Sequence, residues 1–225
     1  MILKYSLPKG LTMNTEITEK FILEVIRWSG YNSCALFEAI FQHSPHIFGD
    51  RKQLIKFFYF GCECGELDAL KWFHKTFKFT KHELESRQFQ ENINPLYVAC
   101  FNGKISVAKW LVDVFSLNLK YCEQVIWKIV EDFGEDKHLE TLRWIFHTFT
   151  FDRSCFFSFD DSLENITCIL SQSCKTGNLS LVKLIVEETG MDFFFDVPNA
   201  SKIADQNFNY IYEYLVNKFP DMVTI

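Results

Sequence analysis

The feature that most constrains this chain is a segment that returns four times. It reads Gly65-Glu66-Leu67-Asp68-Ala69-Leu70-Lys71-Trp72-Phe73, then Gly103-Lys104-Ile105-Ser106-Val107-Ala108-Lys109-Trp110-Leu111. It returns as Lys137-His138-Leu139-Glu140-Thr141-Leu142-Arg143-Trp144-Ile145 and as Gly177-Asn178-Leu179-Ser180-Leu181-Val182-Lys183-Leu184-Ile185. The Trp or Leu of each copy stands at 72, 110, 144 and 184, so the separations are 38, 34 and 40 and the period averages about 37 residues. A period on the order of 20–50 residues marks a repeat array, in which one unit cannot bury its apolar face alone and must stack on its neighbours.

Helical spacing is clear inside a copy. Val107, Trp110, Leu111 and Val114 fall at i, i+3, i+4 and i+7, with Ile105 leading in. This predicts an amphipathic helix with one buried stripe, and it places Trp72, Trp110 and Trp144 in the core. Five residues after the Trp or Leu come Phe77, Phe115, Phe149 and Thr189. Seven after it come Phe79, Leu117, Phe151 and Met191, and eight after it Thr80, Asn118, Asp152 and Asp192. The last register is always Thr, Asn or Asp, side chains that accept backbone N–H bonds at turns and helix starts. Ahead of each copy lie Cys62, Cys100, Gly134 and Cys174, and one residue further back Gly61, Ala99, Phe133 and Ser173. Mostly small side chains there predict close helix crossings, with cysteine acting as a small hydrophobe.

The first helix of each pair is expected to be shorter and more apolar, as at Leu54–Phe60 and Val125–Val130, because neighbours press on both its sides. Ile17–Trp28 reads as a helix starting near Glu16 and stopping at Ser29-Gly30; Ser33–Gln42 reads as its partner, followed by a loop from His43 to Asp50 that contains Pro45 and Gly49. Pro198 is placed to open a helix, and Asn207–Phe219 forms a last one whose polar face carries Asn209, Glu213 and Asn217. The expected architecture is therefore all-α, a solenoid of stacked helix-turn-helix units in a single repeat domain over 1–225. Capping helices occupy 1–50, about four repeats 51–195, and further capping helices 196–225.

Composition narrows the function classes. Apolar residues make up 48% and charged residues 23% of the chain, which is a globular balance. With only 9 Gly and 5 Pro, many short strands joined by tight turns are disfavoured. The net charge is −6 and no basic stripe occurs, so the phosphate contacts that carry nucleic-acid affinity are missing. No apolar run approaches the ~18 residues of a membrane span. Residues 1–14 lack a signal-like apolar run, so the eight cysteines are expected to be thiols in a reducing cytoplasm. Asn165-Ile166-Thr167 is then an accidental glycosylation match.

Reactive constellations are scarce. Cys62-Glu63-Cys64 lacks a second ligand pair at zinc spacing, and neither His74 nor His82 supplies one. No Gly-x-Ser-x-Gly, Gly-x-Gly-x-x-Gly or Gly-x4-Gly-Lys-Ser/Thr segment occurs. Asp160-Asp161 and Glu131-Asp132 read as solvated charge. The expectation is a non-enzymatic chain without metal or cofactor.

Pro95-Leu96-Tyr97-Val98-Ala99-Cys100-Phe101-Asn102-Gly103 resembles the first ankyrin helix and the glycine that follows it, with Tyr97 in place of the family's His. His138-Leu139-Glu140 is similar to the start of the second ankyrin helix, and the Lys-Trp-Leu ending resembles divergent ankyrin arrays of large DNA viruses and some protists. The resemblance spans roughly residues 50 to 195. The second unit alone carries the Thr-Pro-Leu-His region recognisably, and the family's Gly-Ala-Asp loop is absent from all four units. It implies a protein-binding adaptor or scaffold, with a host protein as partner if the array is viral. It also implies that the two residues before each aligned Gly lie on a concave face: Glu63 and Cys64, Phe101 and Asn102, Glu135 and Asp136, Lys175 and Thr176. These pairs differ while their neighbours repeat, which suits a binding surface and equally suits unconstrained surface. Phe101 is the strongest single candidate, as an exposed aromatic. The alternative function is a structural, self-associating component of a larger assembly.

Overall fold

Three of the four repeated segments open on a glycine, and the backbone explains why. Gly65, Gly103 and Gly177 have φ of 86°, 67° and 71°, the left-handed region that only a residue without a Cβ enters cheaply. Each ends one helix and lets the chain reverse into the next. The computed structural model describes residues 19–28, 33–85, 94–119, 124–132, 137–151, 156–159, 166–189 and 196–223. Their secondary structure is helical apart from one small ribbon, so the fold class is all-α. The chain divides into two compact units, Met1–Phe79 and Thr80–Ile225.

In the first unit, helices α1 (Glu19–Trp28) and α2 (Ser33–His43) are followed by one 3-10 turn (Pro45–Phe48), then by α3 (Arg51–Cys64) and α4 (Leu67–Phe77). The segment from His43 to Asp50, expected as loop, thus contains a helical turn; Pro45 supplies the preset φ at its start. Asp50 caps α3 by accepting from the Lys52 amide at 3.0 Å. Helix α1 packs on α3 and α2 packs on α4. Their shared core is aromatic: Phe37 stacks on Trp72 at 5.3 Å, and Phe41 and Phe48 meet Phe77 at 5.6 and 5.7 Å. Gly61 makes the α3–α4 approach possible, since a Cβ there would sit 2.9 Å from a Leu70 methyl.

The second unit contains α5 (Lys81–Leu84), α6 (Pro95–Phe101), α7 (Ile105–Phe115), α8 (Gln124–Glu131), α9 (Lys137–Thr148), α10 (Ile169–Lys175), α11 (Leu179–Glu188), α12 (Val197–Asn207) and α13 (Asn209–Lys218). Strands β1 (Phe157–Phe159) and β2 (Ile166–Cys168) form an antiparallel ribbon before α10. Helices α6, α8, α10 and α12 each pack on the next, while α7, α9, α11 and α13 do the same in a second row. The rows are joined within the pairs α6–α7, α8–α9, α10–α11 and α12–α13. Surface contacts follow the second row: Arg143 donates to both Glu188 oxygens at 2.9 and 2.8 Å, and the Tyr214 hydroxyl donates to Glu187 at 2.9 Å.

The buried stripe of α7 differs from the expected one. Val107, Ala108, Leu111 and Phe115 are buried, whereas Val114 is 44% exposed and Ile105 is half-buried. The two stripes share Val107 and Leu111. The observed one is centred one position round, because Phe115 turns inward at the helix end. The polar register divides as well. Thr80 caps α5 in a full capping box with Glu83. Asn118 starts no helix, since α8 begins only at Gln124; its carbonyl instead accepts from Asn94 Nδ2 at 3.2 Å. Asp152 and Asp192 lie outside the described residues.

Two second helices end on non-glycine residues in the left-handed region, Lys78 and Ser116, both at φ 51°. They are equivalent positions, six residues after Trp72 and Trp110. Cations offset the exposed carbonyls there. Arg51 donates to Phe77 O at 2.8 Å, and Lys81 donates to Ser116 O at 2.8 Å. Because a Cβ is penalised in this conformation by about 1 kcal/mol or more, Lys78→Gly and Ser116→Gly should each raise stability by up to about 1 kcal/mol in urea denaturation. A clear loss of stability in both variants would show that these turns carry no strain.

Candidate functional site

The candidate sites, taken unit by unit, are the described turns between paired helices, where the sequence varies beside a recurring left-handed glycine. In the α6–α7 turn, the Gly103 amide donates to Cys100 O at 3.0 Å and the Lys104 amide to Ala99 O at 2.8 Å, the paired bonds that close a helix around a left-handed residue. In the α3–α4 turn, the Glu66 amide reaches Gly61 O at 3.0 Å, the same register. The α10–α11 turn keeps the Gly177-to-Cys174 bond at 3.2 Å but replaces the second one. There the Thr176 hydroxyl accepts from the Asn178 amide at 3.2 Å and donates to Ser173 O at 2.7 Å, relaying the missing bond.

This geometry sorts the eight candidate residues. Glu63 and Lys175 are exposed; Cys64, Phe101, Asn102 and Thr176 are half-buried. Glu135 and Asp136 lie outside the described residues. Thr176 is committed to closing its turn, and the Asn102 amide Nδ2 donates back to Val98 O at 2.9 Å. Phe101 is not the bare aromatic the sequence suggested: its ring stacks on Tyr97, one helical turn earlier, at 6.2 Å. Its carbonyl lies 3.2 Å from His138 Nε2, and because a carbonyl only accepts, that nitrogen carries the proton.

Behind the turns, the small-residue registers are buried: Gly61, Cys62, Ala99, Cys100, Ser173 and Cys174. The six described cysteines are thiols, not disulfides. Burial pushes the Cys62 thiol well above its ordinary range. Among the described residues no group of three or more His, Cys, Asp or Glu is placed to hold a metal.

The repeated Trp takes a consistent partner. Trp72, Trp110 and Trp144 meet the Phe five residues on, edge to face, at 5.7, 5.6 and 5.6 Å. Such pairs contribute about 0.5–1.5 kcal/mol beyond their burial. In the fourth copy Leu184 and Thr189 replace them, and Thr189 Oγ1 donates to Ile185 O at 2.8 Å. Trp72 is buried and donates its Nε1 proton to Glu38 at 3.1 Å. Trp110 and Trp144 are only half-buried, so the expectation of three core tryptophans holds fully for one.

A buried polar node went unforeseen. Asp196, 5% exposed, accepts from the Ser171 amide at 3.0 Å, from the Ser171 hydroxyl at 2.8 Å and from Asn199 Nδ2 at 3.4 Å. Ser171 is the third residue of α10, whose own cap position is Cys168, a side chain that makes no capping bond. A carboxylate from the start of α12 therefore caps α10 through space, where the helix dipole also favours negative charge. Burial first and then the Asp196 charge push the Cys168 and Cys174 thiols up to about 12.

No protein-family model and no curated protein matches this chain.

Two outcomes follow from the node. Asp196→Ala leaves buried donors without an acceptor and should cost about 3 kcal/mol, read from the urea midpoint; a loss below ~1 kcal/mol would mean that water replaces the carboxylate. The thiols give a pH dependence. Their folded values lie above the ordinary 9.0, so the unfolded chain releases these protons first as pH rises. The stability they contribute is complete below pH 9 and declines towards about 12. Urea midpoints measured across that window should fall less steeply in Cys168→Ala/Cys174→Ala.

Proposed function

We propose that this chain is a non-enzymatic protein-binding repeat module of the ankyrin-like type, an adaptor or scaffold built as a helical solenoid. The observation that carries this reading is the pairing of constancy with variation at the turns. In the second unit, Gly103 and Gly177 repeat the same left-handed reversal, at φ 67° and 71°, while the residues before them are Phe101-Asn102 and Lys175-Thr176. A scaffold that holds its backbone fixed and changes its side chains is how repeat proteins form a partner surface. The two rows of helices in that unit are the layering such a fold requires. Asn102 and Thr176 serve their own turns, so Phe101 and Lys175 carry the recognition: a half-buried aromatic held rigid by Tyr97, and an exposed cation.

The partner is a protein, and for a viral array a host protein. The acidic balance of the chain, −6 overall, makes a nucleic-acid partner a poor fit. Among the described residues no helix is long and apolar enough to cross a membrane.

Affinity capture from the native cell tests the reading. Phe101→Ala and Lys175→Glu should each reduce recovery of the same captured protein by tenfold or so, the scale of a ~1.4 kcal/mol contact. Lys175 is exposed, so its variant should keep the wild-type urea midpoint and separate lost binding from lost folding. Unchanged recovery with both variants sinks the surface assignment. A stable homo-oligomer at low concentration, seen by mass measurement, would favour the self-associating structural role instead.

A further inference from the structure

Asn102-Gly103 is the single Asn-Gly step in the sequence. The chemistry of that step is general. The backbone nitrogen of the following residue attacks the side-chain carboxamide carbon, ammonia leaves, and a five-membered succinimide forms. Water then opens the ring to an aspartate or to an isoaspartate, whose backbone runs through the former side chain. Glycine permits the attack because no side chain shields its nitrogen.

The turn engages both reacting groups in hydrogen bonds to α6. The Gly103 N–H is held on Cys100 O at 3.0 Å, so the nucleophile keeps its proton and faces back into α6. The Asn102 carboxamide is also turned backward, its Nδ2 donating to Val98 O at 2.9 Å. The backbone at Asn102 is near-helical, with φ −87° and ψ 8°, and Gly103 is locked at φ 67° by the turn closure. Attack requires both hydrogen bonds to break together, which is a local opening of the α6–α7 turn.

We propose that Asn102 is a self-modification site gated by this turn: each opening exposes it to succinimide formation, and the product prevents the turn from closing again. The aspartate product sets a carboxylate against the Val98 carbonyl, where the amide had donated. It also adds negative charge at the C-terminal end of α6, which the helix dipole disfavours. The isoaspartate product lengthens the backbone by one carbon between 102 and 103, which carries the Gly103 amide off the Cys100 carbonyl. The modification records time spent open and converts a reversible fluctuation into a permanent one. It is independent of whether the neighbouring Phe101 binds a partner.

The test incubates the full chain at mildly alkaline pH, in buffer and in unfolding urea, and follows residue 102 by peptide mapping with mass spectrometry. The folded protein should convert at Asn102 at least about tenfold more slowly than the unfolded one, equivalent to about 1.4 kcal/mol of opening. Asn118 and Asn178, each followed by Leu, should lag behind Asn102 in urea. Asn102→Asp should lower the urea midpoint, as the first product would. Equal rates in buffer and urea, slower conversion at Asn102 than at Asn178 in urea, or an unchanged midpoint in Asn102→Asp would each overturn the proposal.

Discussion

Everything in these units depends on closing the end of one helix so that the next can start antiparallel to it. A helix leaves its last carbonyls unpaired, and burying them beside a neighbour is costly unless amides return to them. The left-handed glycine returns two amides at once. That closure fixes the pairs α3–α4, α6–α7 and α10–α11, and it brings Gly61–Cys62, Ala99–Cys100 and Ser173–Cys174 to the helix contact at equivalent places. Packing then supplies the stabilisation, but only because the turns have set which faces meet. The α10–α11 turn shows that the constraint lies on the bond and not on a residue: where the second amide is not delivered directly, the Thr176 hydroxyl bridges the gap.

Much of this was legible because it is periodic. The glycines, the small residues before them and the Trp–Phe spacing recur, and each recurrence has one physical cause repeated. What sequence did not disclose was nearly always contact through space. Asp196 stands at the N-cap position of α12 without capping it, and its carboxylate instead serves α10, 25 residues earlier in the chain at Ser171. Asn102 and Thr176 varied between copies and so resembled binding surface; short polar side chains beside a helix end instead bond the local backbone, a competition that spacing cannot show. The apolar stripe of α7 admits two centres, one with Val114 inside and one with Phe115 inside, and the burial of Phe115 selects the second. Asn118 shared a register with Thr80 but not its following helix.

The thiols bear on how the chain is read as a functional object. Reactive cysteines are recognised by a lowered pKa and by access. Cys168 and Cys174 have the opposite profile, protonated and enclosed beside a carboxylate. Cys62 is raised by burial alone. In these positions cysteine serves as a small packing residue, and functional interest moves outward to the turn surface, where Phe101 and Lys175 stand.

The edge-to-face clasp between each Trp and the Phe five residues later has a kinetic consequence. Both rings belong to one helix end, so they can meet before any distant part of the chain is in place. Closing a segment that short takes on the order of nanoseconds to tens of nanoseconds, far less than assembling helices from separate repeats. Each second helix with a clasp, at 72–77, 110–115 and 144–149, thus brings its own local seed to folding. Helix α11, with Leu184 and Thr189 in those places, lacks that clasp and keeps only its local polar bonds, the Asn178 cap and the Thr189 hydroxyl on Ile185 O. Low sequence separation of early contacts is what makes helical arrays fast to fold, and here it is distributed unevenly along the chain.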